Sequence, residues 1–426
     1  MAHHTTDHSY SRLSRRLSLL PQAAPPSDLL FQILKILFSE REAGLVAHLP
    51  VRPFSAKRAA RIWKMPLTEA QNTLDALADK GLLVDIEKDG SMVYVLPPPM
   101  AGFFEFSMMR VRHDIDQHAL AELFYEYINV QDEFIRALFA GGETQLGRIL
   151  VHEPALPDDP TLHVLDYERA SEVIKTATCR AISLCYCRHK MQHLGKACSA
   201  PLDICMTFNT SAKALVGHGL AREVSLEECL DQLQRAYDND LVQFGENVRE
   251  SMNFICNCCK CCCEAMIAAR KVAFAHPVHT TNFLPVVDGS TCTACGVCVE
   301  LCPVEAVSLQ PCSESESWVG TVARVDESRC LGCGLCARRC PSEAIRLVPR
   351  AQRVITPLNS AHRVVLMAIE RDKLQNLIVD RQVLWSHRAL ASVPGAILRL
   401  PPAKRLLAQR QVRSRFLEAA LHKANV

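Results

Sequence analysis

The chain has 426 residues and a mass of 47.4 kDa, enough for about two to four domains with buried cores. Its hydrophobic content of 49% and charged content of 22%, with only 17 Gly and 23 Pro, exclude a disordered or collagen-like chain, and a net charge of +2 singles out no class of partner. No run approaches the roughly 18 apolar residues of a membrane span, and the N-terminus, through Ser11-Arg12-Leu13-Ser14-Arg15-Arg16, has no apolar signal-peptide core. All 21 cysteines lie between Cys179 and Cys340. In a chain of this length that clustering points to metal-binding thiols in a reducing cytoplasm rather than to a disulfide scaffold.

The Cys-free first 178 residues read as mostly helical. After a flexible N-terminus (1–27), apolar spacing predicts a helix over Leu29 to Phe38, and a second from Ser55 to Trp63 ended by Met65-Pro66. A third runs from an N-cap at Thr68 through Ala70, Leu74 and Leu77 to Gly81. Two extended stretches follow, Leu82 to Ile86 and Met92 to Leu96, joined by Asp89-Gly90 as a hairpin turn. In this order of elements, residues 28–98 resemble the winged-helix family. A DNA reader of that family would be cationic along its third helix, yet Phe54 to Met100 carries six Lys/Arg against six Asp/Glu. A structural or protein-docking role is therefore expected over DNA binding, with Gln71 and Asn72 as the features favouring the alternative. Residues 99–178 read as a helical connector, with a long helix from an N-cap at Asp114 to Gly141-Gly142. His113 and His118 read as surface histidines.

Residues 179–285 form a cysteine-rich α/β domain with ten candidate metal ligands in two groups. The first is Cys185, Cys187, Cys198 and Cys205. Alternation predicts a strand from Ala181 to Cys187 that points Cys185 and Cys187 to one face, where Cys198 and Cys205 can close a four-thiolate site. The second is Cys256, Cys258, Cys259, Cys261, Cys262 and Cys263. Six thiols in eight residues are not core filler, and which of the ten share a centre is not readable from spacing. His189 and His193, with Arg188 and Lys190 beside them, read as residues of an exposed charged loop. Cys179 stands apart, and Cys229, in a helix begun by the capping box Ser225 to Glu228, reads as a small buried hydrophobe.

Residues 286–349 hold an internal repeat with an offset of 38 residues. Cys292-x-x-Cys295-Gly296-x-Cys298-x-x-x-Cys302-Pro303 matches Cys330-x-x-Cys333-Gly334-x-Cys336-x-x-x-Cys340-Pro341. Three thiolates from one tight loop can approach three corners of an iron–sulfur cube, and the fourth must come from elsewhere. Zinc needs neither the third evenly spaced Cys nor the duplication. The segment resembles bacterial two-cluster 2[4Fe-4S] ferredoxins. That resemblance implies an α+β fold, one-electron transfer between two [4Fe-4S] clusters, and crossed ligation: Cys292, Cys295, Cys298 and Cys340 for cluster 1, and Cys330, Cys333, Cys336 and Cys302 for cluster 2. The stretch from Pro311 to Thr321 is expected to be a surface excursion, with Cys312 a spare thiol.

From Arg350 to Val426 there are 14 Lys/Arg against four Asp/Glu, so the rest of the chain is net acidic. This region reads as a basic helical tail suited to docking a redox partner protein. No phosphate loop or nucleotide fingerprint is present. The whole reads as an α+β multidomain, cytoplasmic iron–sulfur electron-transfer protein: winged-helix-like, cysteine-rich α/β and ferredoxin-like dicluster domains, then the basic tail. Two [4Fe-4S] clusters are expected, with one or two further iron–sulfur clusters, or zinc, on the other ten thiols. It reads as a relay subunit for a partner oxidoreductase rather than a stand-alone catalyst. The alternatives are an oxidoreductase with its catalytic cluster in the cysteine-rich domain and a redox-responsive transcription regulator.

Overall fold

The computed structural model describes residues 3–88, 90–139, 142–156, 165–271, 280–312, 320–354 and 356–378. Its content of 45% helix and 17% strand agrees with the α+β class. The chain divides into two compact units, residues 1–144 with 217–220 and 358–426, and residues 145–216 with 221–357. Among the described residues no helix is long and apolar enough to cross a membrane. Most of the basic tail, from residue 379 on, lies outside the described residues.

In the first unit, helix Asp28–Leu37 starts where Ser27 accepts the Leu30 amide proton, and it buries Leu30, Ile33, Leu34 and Leu37 at helical spacing. Strand β1 (Phe54–Ser55) leads into helices Ala56–Trp63 and Leu67–Asp79 and then the hairpin β2 (Val84–Lys88) and β3 (Ser91–Val95), in sheet order β1-β3-β2. Two expected boundaries move. Helix Leu67–Asp79 is entered from Pro66 rather than capped by Thr68, because the fixed proline φ already sets the entry. The long helix expected from Asp114 starts instead at an Asp116 cap. It divides into Gln117–Phe124 and Asp132–Phe139 around a wide π-type turn at Tyr125–Val130, which lets Phe124, Tyr127 and Phe134 all meet Phe104.

His218 also lies in this unit, with Nδ1 2.6 Å from Asp79 and Nε2 3.0 Å from Asp85. Burial works against its charge, but the two carboxylates outweigh it and raise its pKa. A raised folded-state pKa gives stabilisation that is full below the unfolded value of about 6.5 and is lost as pH rises through the folded value. The thermal midpoint of the unit carrying His218 is expected to fall on going from mildly acidic to alkaline pH. His218→Gln should flatten that part of the profile; an unchanged profile would contradict the pairing.

The second unit is built on an antiparallel sheet of order β4-β8-β9-β6-β5-β7. Its strands are β4 (Gly147–Ile149), β5 (Arg180–Leu184), β6 (Asp203–Phe208), β7 (Arg222–Glu223), β8 (Val242–Glu246) and β9 (Phe254–Cys258). Side-chain alternation sorts its two faces. Met206, Phe208 and Ile255 pack beneath Ile174 and Leu233 of helices Ala170–Thr176 and Leu226–Asp238. Phe244, Phe254, Cys256 and Cys258 turn to the other face, in one core with Met266, Leu331 and Leu335. Fully buried Arg148 pairs with Glu168 at 3.2 Å, and Glu168 also accepts from Asn282 Nδ2 at 2.9 Å, which fixes β4 to the entry of the duplicated segment.

The duplication is visible in the backbone. Strands β10 (Phe283–Val287), β11 (Val307–Pro311), β12 (Thr321–Val325) and β13 (Ile345–Pro349) pair as β10-β13 and β11-β12, so each pair takes one strand from each half. The left-handed residues Ala294, Gly296 and Glu305 recur at Gly332, Gly334 and Glu343. Asp288 N donates to Ala344 O at 2.8 Å, and its counterpart Asp326 N donates to Ala306 O at 2.7 Å. One position breaks the equivalence: a Cβ on Gly332 would overlap the Phe283 carbonyl oxygen and Thr281 Oγ1, so glycine is required there although Ala294 serves in the first half.

Candidate metal centres

Each half of the duplicated segment presents two cysteines on a loop that closes with a left-handed glycine, Gly296 (φ 82°) or Gly334 (φ 88°), and its third, Cys298 or Cys336, in the first turn of the short helix that the glycine caps. The strand exchange then decides where the fourth goes. Cys340 precedes β13, which pairs with β10 of the first half, and Cys302 precedes β11, which pairs with β12 of the second. Cys340 accordingly lines one cavity with Cys292, Cys295 and Cys298. Cys302 lies close enough to Cys330, Cys333 and Cys336 to influence the ionisation of all three. Burial raises the thiols of Cys298, Cys330 (to about 11), Cys333 (to about 12) and Cys336. Such thiols ionise only with a cation to compensate them, and a cluster's irons provide that compensation. Amide donors also face sulfur: Ala306 N lies 3.2 Å from Cys302 Sγ and Gly332 N lies 3.4 Å from Cys330 Sγ.

The other ten thiols do not group as the sequence spacing suggested. The strand ends at Leu184 after a register shift between Ser183 and Leu184, and helix Tyr186–His193 begins at once. Cys185 is the residue before that helix and Cys187 lies in its first turn, so strand alternation no longer relates them. Residues 259–263 form a loop, and helix Glu264–Lys271 follows it. Cys198 joins Cys259, Cys261 and Cys262, all four Sγ atoms lying within 4.8 Å of one another. Cys205 is drawn elsewhere, because β6 pairs with both β5 and β9. It meets Cys185 and Cys256. Cys187 meets Cys185 and Cys263, and Cys263 Sγ lies 3.1 Å from Cys258 Sγ.

In each group the pKa of one thiol is drawn down. Hydrogen bonding from Cys262, then the charge of Arg188, brings Cys259 down to about 4, and hydrogen bonds from Cys187 and Cys205 hold Cys185 well below the usual thiol range. Arg188 is buried, and its guanidinium also donates to the carbonyls of Pro201 and Asn257. Far from forming an exposed charged loop, Arg188, His189, Lys190 and Met191 are buried within helix Tyr186–His193. Lys190 forms a buried ion pair with Glu264. Reading Arg188 and Lys190 as solvated missed them; the signal was their position between thiols, since buried thiolates need buried cations. The rings of His189 and His193 face each other at 4.8 Å. Cys229 is fully buried, with its thiol pushed up to about 12 by burial, as expected of core filler. Cys179 donates to Glu223 at 3.8 Å.

Two interlocked cysteine loops of this kind define a ferredoxin-like iron–sulfur domain within the chain. Residues 291–344 match the family model of the 4Fe-4S dicluster domain. No curated protein and no solved structure matches the chain.

Proposed function

We propose that the protein is an electron relay serving a partner oxidoreductase. Its dicluster domain would hold one [4Fe-4S] cluster on Cys292, Cys295, Cys298 and Cys340 and another on Cys330, Cys333, Cys336 and Cys302. Further metal would sit on the ten thiols of the sheet domain. The observation that carries this reading is the strand exchange, which delivers the last cysteine of each half to the loop of the other. The clusters supply one-electron redox chemistry. The chain's own residues hold them apart from water and set their potentials through burial and N–H···S contacts.

The sheet domain and the dicluster domain share one core, and polar contacts join them as well. Arg270 Nη1 donates to Lys260 O, inside the Cys259–Cys261 loop, and to Pro303 O, next to Cys302, both at 2.8 Å. The cytoplasmic setting and partner docking by the basic C-terminal region belong to this same reading. So does a winged-helix-like role in protein docking for residues 28–98, supported by their element order. There Gln71 donates to Asp75 at 3.0 Å and to the Tyr94 hydroxyl, and is engaged within its own unit. An anaerobic reductive titration with dithionite, followed by reoxidation with an acceptor dye of higher potential than the clusters, tests the relay. Reversible uptake of more than one electron per chain is expected. A chain that takes up none, or that does not return them, is no relay.

A further inference from the structure

Cys259, Cys261 and Cys262 lie on the loop that leaves β9, and Cys198 reaches them from far away in the chain. Strand pairing brings it there. β6 and β9 run antiparallel, with Met206 opposite Ile255, so the loop that enters β6 and the loop that leaves β9 emerge at the same end of the sheet. Cys198 lies on the entering loop. The two ends are tied together by printed side-chain bonds: Asn257 Nδ2 donates to Ile204 O at 2.7 Å, and Asn257 Oδ1 accepts from Gln243 Nε2 at 3.1 Å. Buried Arg188 donates to the carbonyls of Pro201, on the entering loop, and of Asn257, at the end of β9.

The spacing of the four sulfurs identifies the kind of centre they suit. All four Sγ atoms lie within 4.8 Å of one another, with Cys261 and Cys262 3.5 Å apart and Cys262 and Cys198 3.9 Å apart. A tetrahedral ion with metal–sulfur bonds of about 2.3 Å sets its sulfurs about 3.8 Å apart. The four thiols therefore close on one ion through shifts of about an ångström or less. A cube demands more room, because each thiolate binds a different iron and the cube itself stands between them. Among the described residues no other group of three or more cysteine, histidine or carboxylate ligand atoms is drawn so close. The cysteines of the first dicluster loop instead line a cavity with Cys340.

We propose that Cys198, Cys259, Cys261 and Cys262 bind a single thiophilic metal ion, zinc or iron, in a tetrahedral site without bridging sulfide. The inference rests on the reading that thiols of this domain hold metal, and goes beyond it by naming four ligands and a one-ion centre. Soft thiolates suit both ions, and four of them complete the coordination with no open position. Cys262 is fully buried while Cys261 is exposed, so one ligand meets the ion at the surface. Four thiolates around a divalent ion leave an excess of negative charge, which the buried Arg188 guanidinium partly offsets. The ion clasps the loop after β9 to the loop before β6. It also steadies Lys260, whose carbonyl accepts from the same Arg270 Nη1 that holds Pro303 O beside Cys302. Cys259 packs in addition against the core of Cys185, Ile204 and Leu241, so the ion lies at the edge of the remaining thiols.

The test uses the full chain purified anaerobically, with zinc, iron and acid-labile sulfide counted, X-ray absorption recorded at the zinc edge and paramagnetic resonance spectra taken. With zinc as occupant, about one zinc per chain is expected, with four sulfur neighbours at about 2.3 Å and no second metal at bridging distance. With iron as occupant, the oxidised chain is expected to show the low-field resonance of an isolated high-spin ferric ion. A chain with neither signature overturns the proposal. Cys261→Ser, at an exposed position, should weaken the ion's binding by more than about a hundredfold, the upper range for loss of an outer-shell partner, in competition with a chromophoric chelator. Cys198→Ser should do the same from the other loop. Persistence of the dicluster signals on reduction shows that each variant is folded. Loss of about four irons with their sulfide in either variant would identify a cube instead, and unchanged metal content in both would show that these thiols hold no ion. The relay reading fails separately, if the chain takes up no electrons while the ion stays bound.

Discussion

Substituting Cys340 with Ser is expected to abolish the cluster bound by Cys292, Cys295 and Cys298, nearly fifty residues earlier in the chain, and to spare the one bound by its own loop. The reason is the strand exchange: Cys340 immediately precedes the turn into β13, and β13 is paired along its whole length with β10 of the first half. The expected loss is about four of the roughly eight irons of the dicluster domain, with one of two resonance signals disappearing. Cys302→Ser is expected to remove the other signal. The pair of variants is decisive because uncrossed ligation would give the opposite assignment in both. Spectra of the two variants, compared with the first-loop variant Cys295→Ser, settle which loop each fourth cysteine serves: Cys295→Ser and Cys340→Ser should lose the same signal.

Breaking the Lys190–Glu264 pair should have the largest effect on stability. Lys190 is fully buried and Glu264 is 4% exposed, so removing either partner strands a charge away from water, at a cost of about 3–5 kcal/mol. The pair also stands beside two candidate ligands: Lys190 is one helical turn from Cys187, and Glu264 directly follows Cys263. Lys190→Met is therefore expected to lower the denaturation midpoint sharply and to lower iron retention with it. The double variant Lys190→Met/Glu264→Gln should be less destabilised than Lys190→Met alone, because no uncompensated charge remains. Equal destabilisation in the single and double variants would show that the two residues act independently. Anaerobic denaturation of the three proteins side by side gives the comparison.

The dicluster domain was legible in the sequence because its chemistry is local: three ligands at fixed spacing, a glycine that turns each loop, and a repeat of the entire pattern. Its one asymmetry was not legible, because the groups that Gly332 faces, the Phe283 carbonyl and the Thr281 hydroxyl, come from a distant part of the chain. The sheet domain was legible only in its inventory. Strand alternation failed at Cys185 and Cys187 because β5 ends one residue before Cys185, at a register shift that periodicity does not reveal. Assigning Cys198 to the Cys259–Cys262 loop depends on a contact across more than sixty residues, set by sheet order β9-β6-β5. The charges of Arg188 and Lys190 suggested solvent for the same reason. Their burial is favourable only once thiolates and Glu264 have been brought to them by the fold. The long helix expected from Asp114 was a correct apolar face with its interruption unseen, since a π-type turn leaves the apolar pattern nearly intact.

The most direct measurement is the iron and acid-labile sulfide content of the full chain purified without oxygen, with zinc determined on the same samples. Two cubes in the dicluster domain alone require about eight irons. One or two occupied iron–sulfur centres in the sheet domain raise this to roughly twelve to sixteen, with sulfide in proportion and little zinc. A count that stays near eight with zinc present would contradict iron–sulfur centres in the sheet domain, and a count well below eight would contradict the two-cluster relay itself.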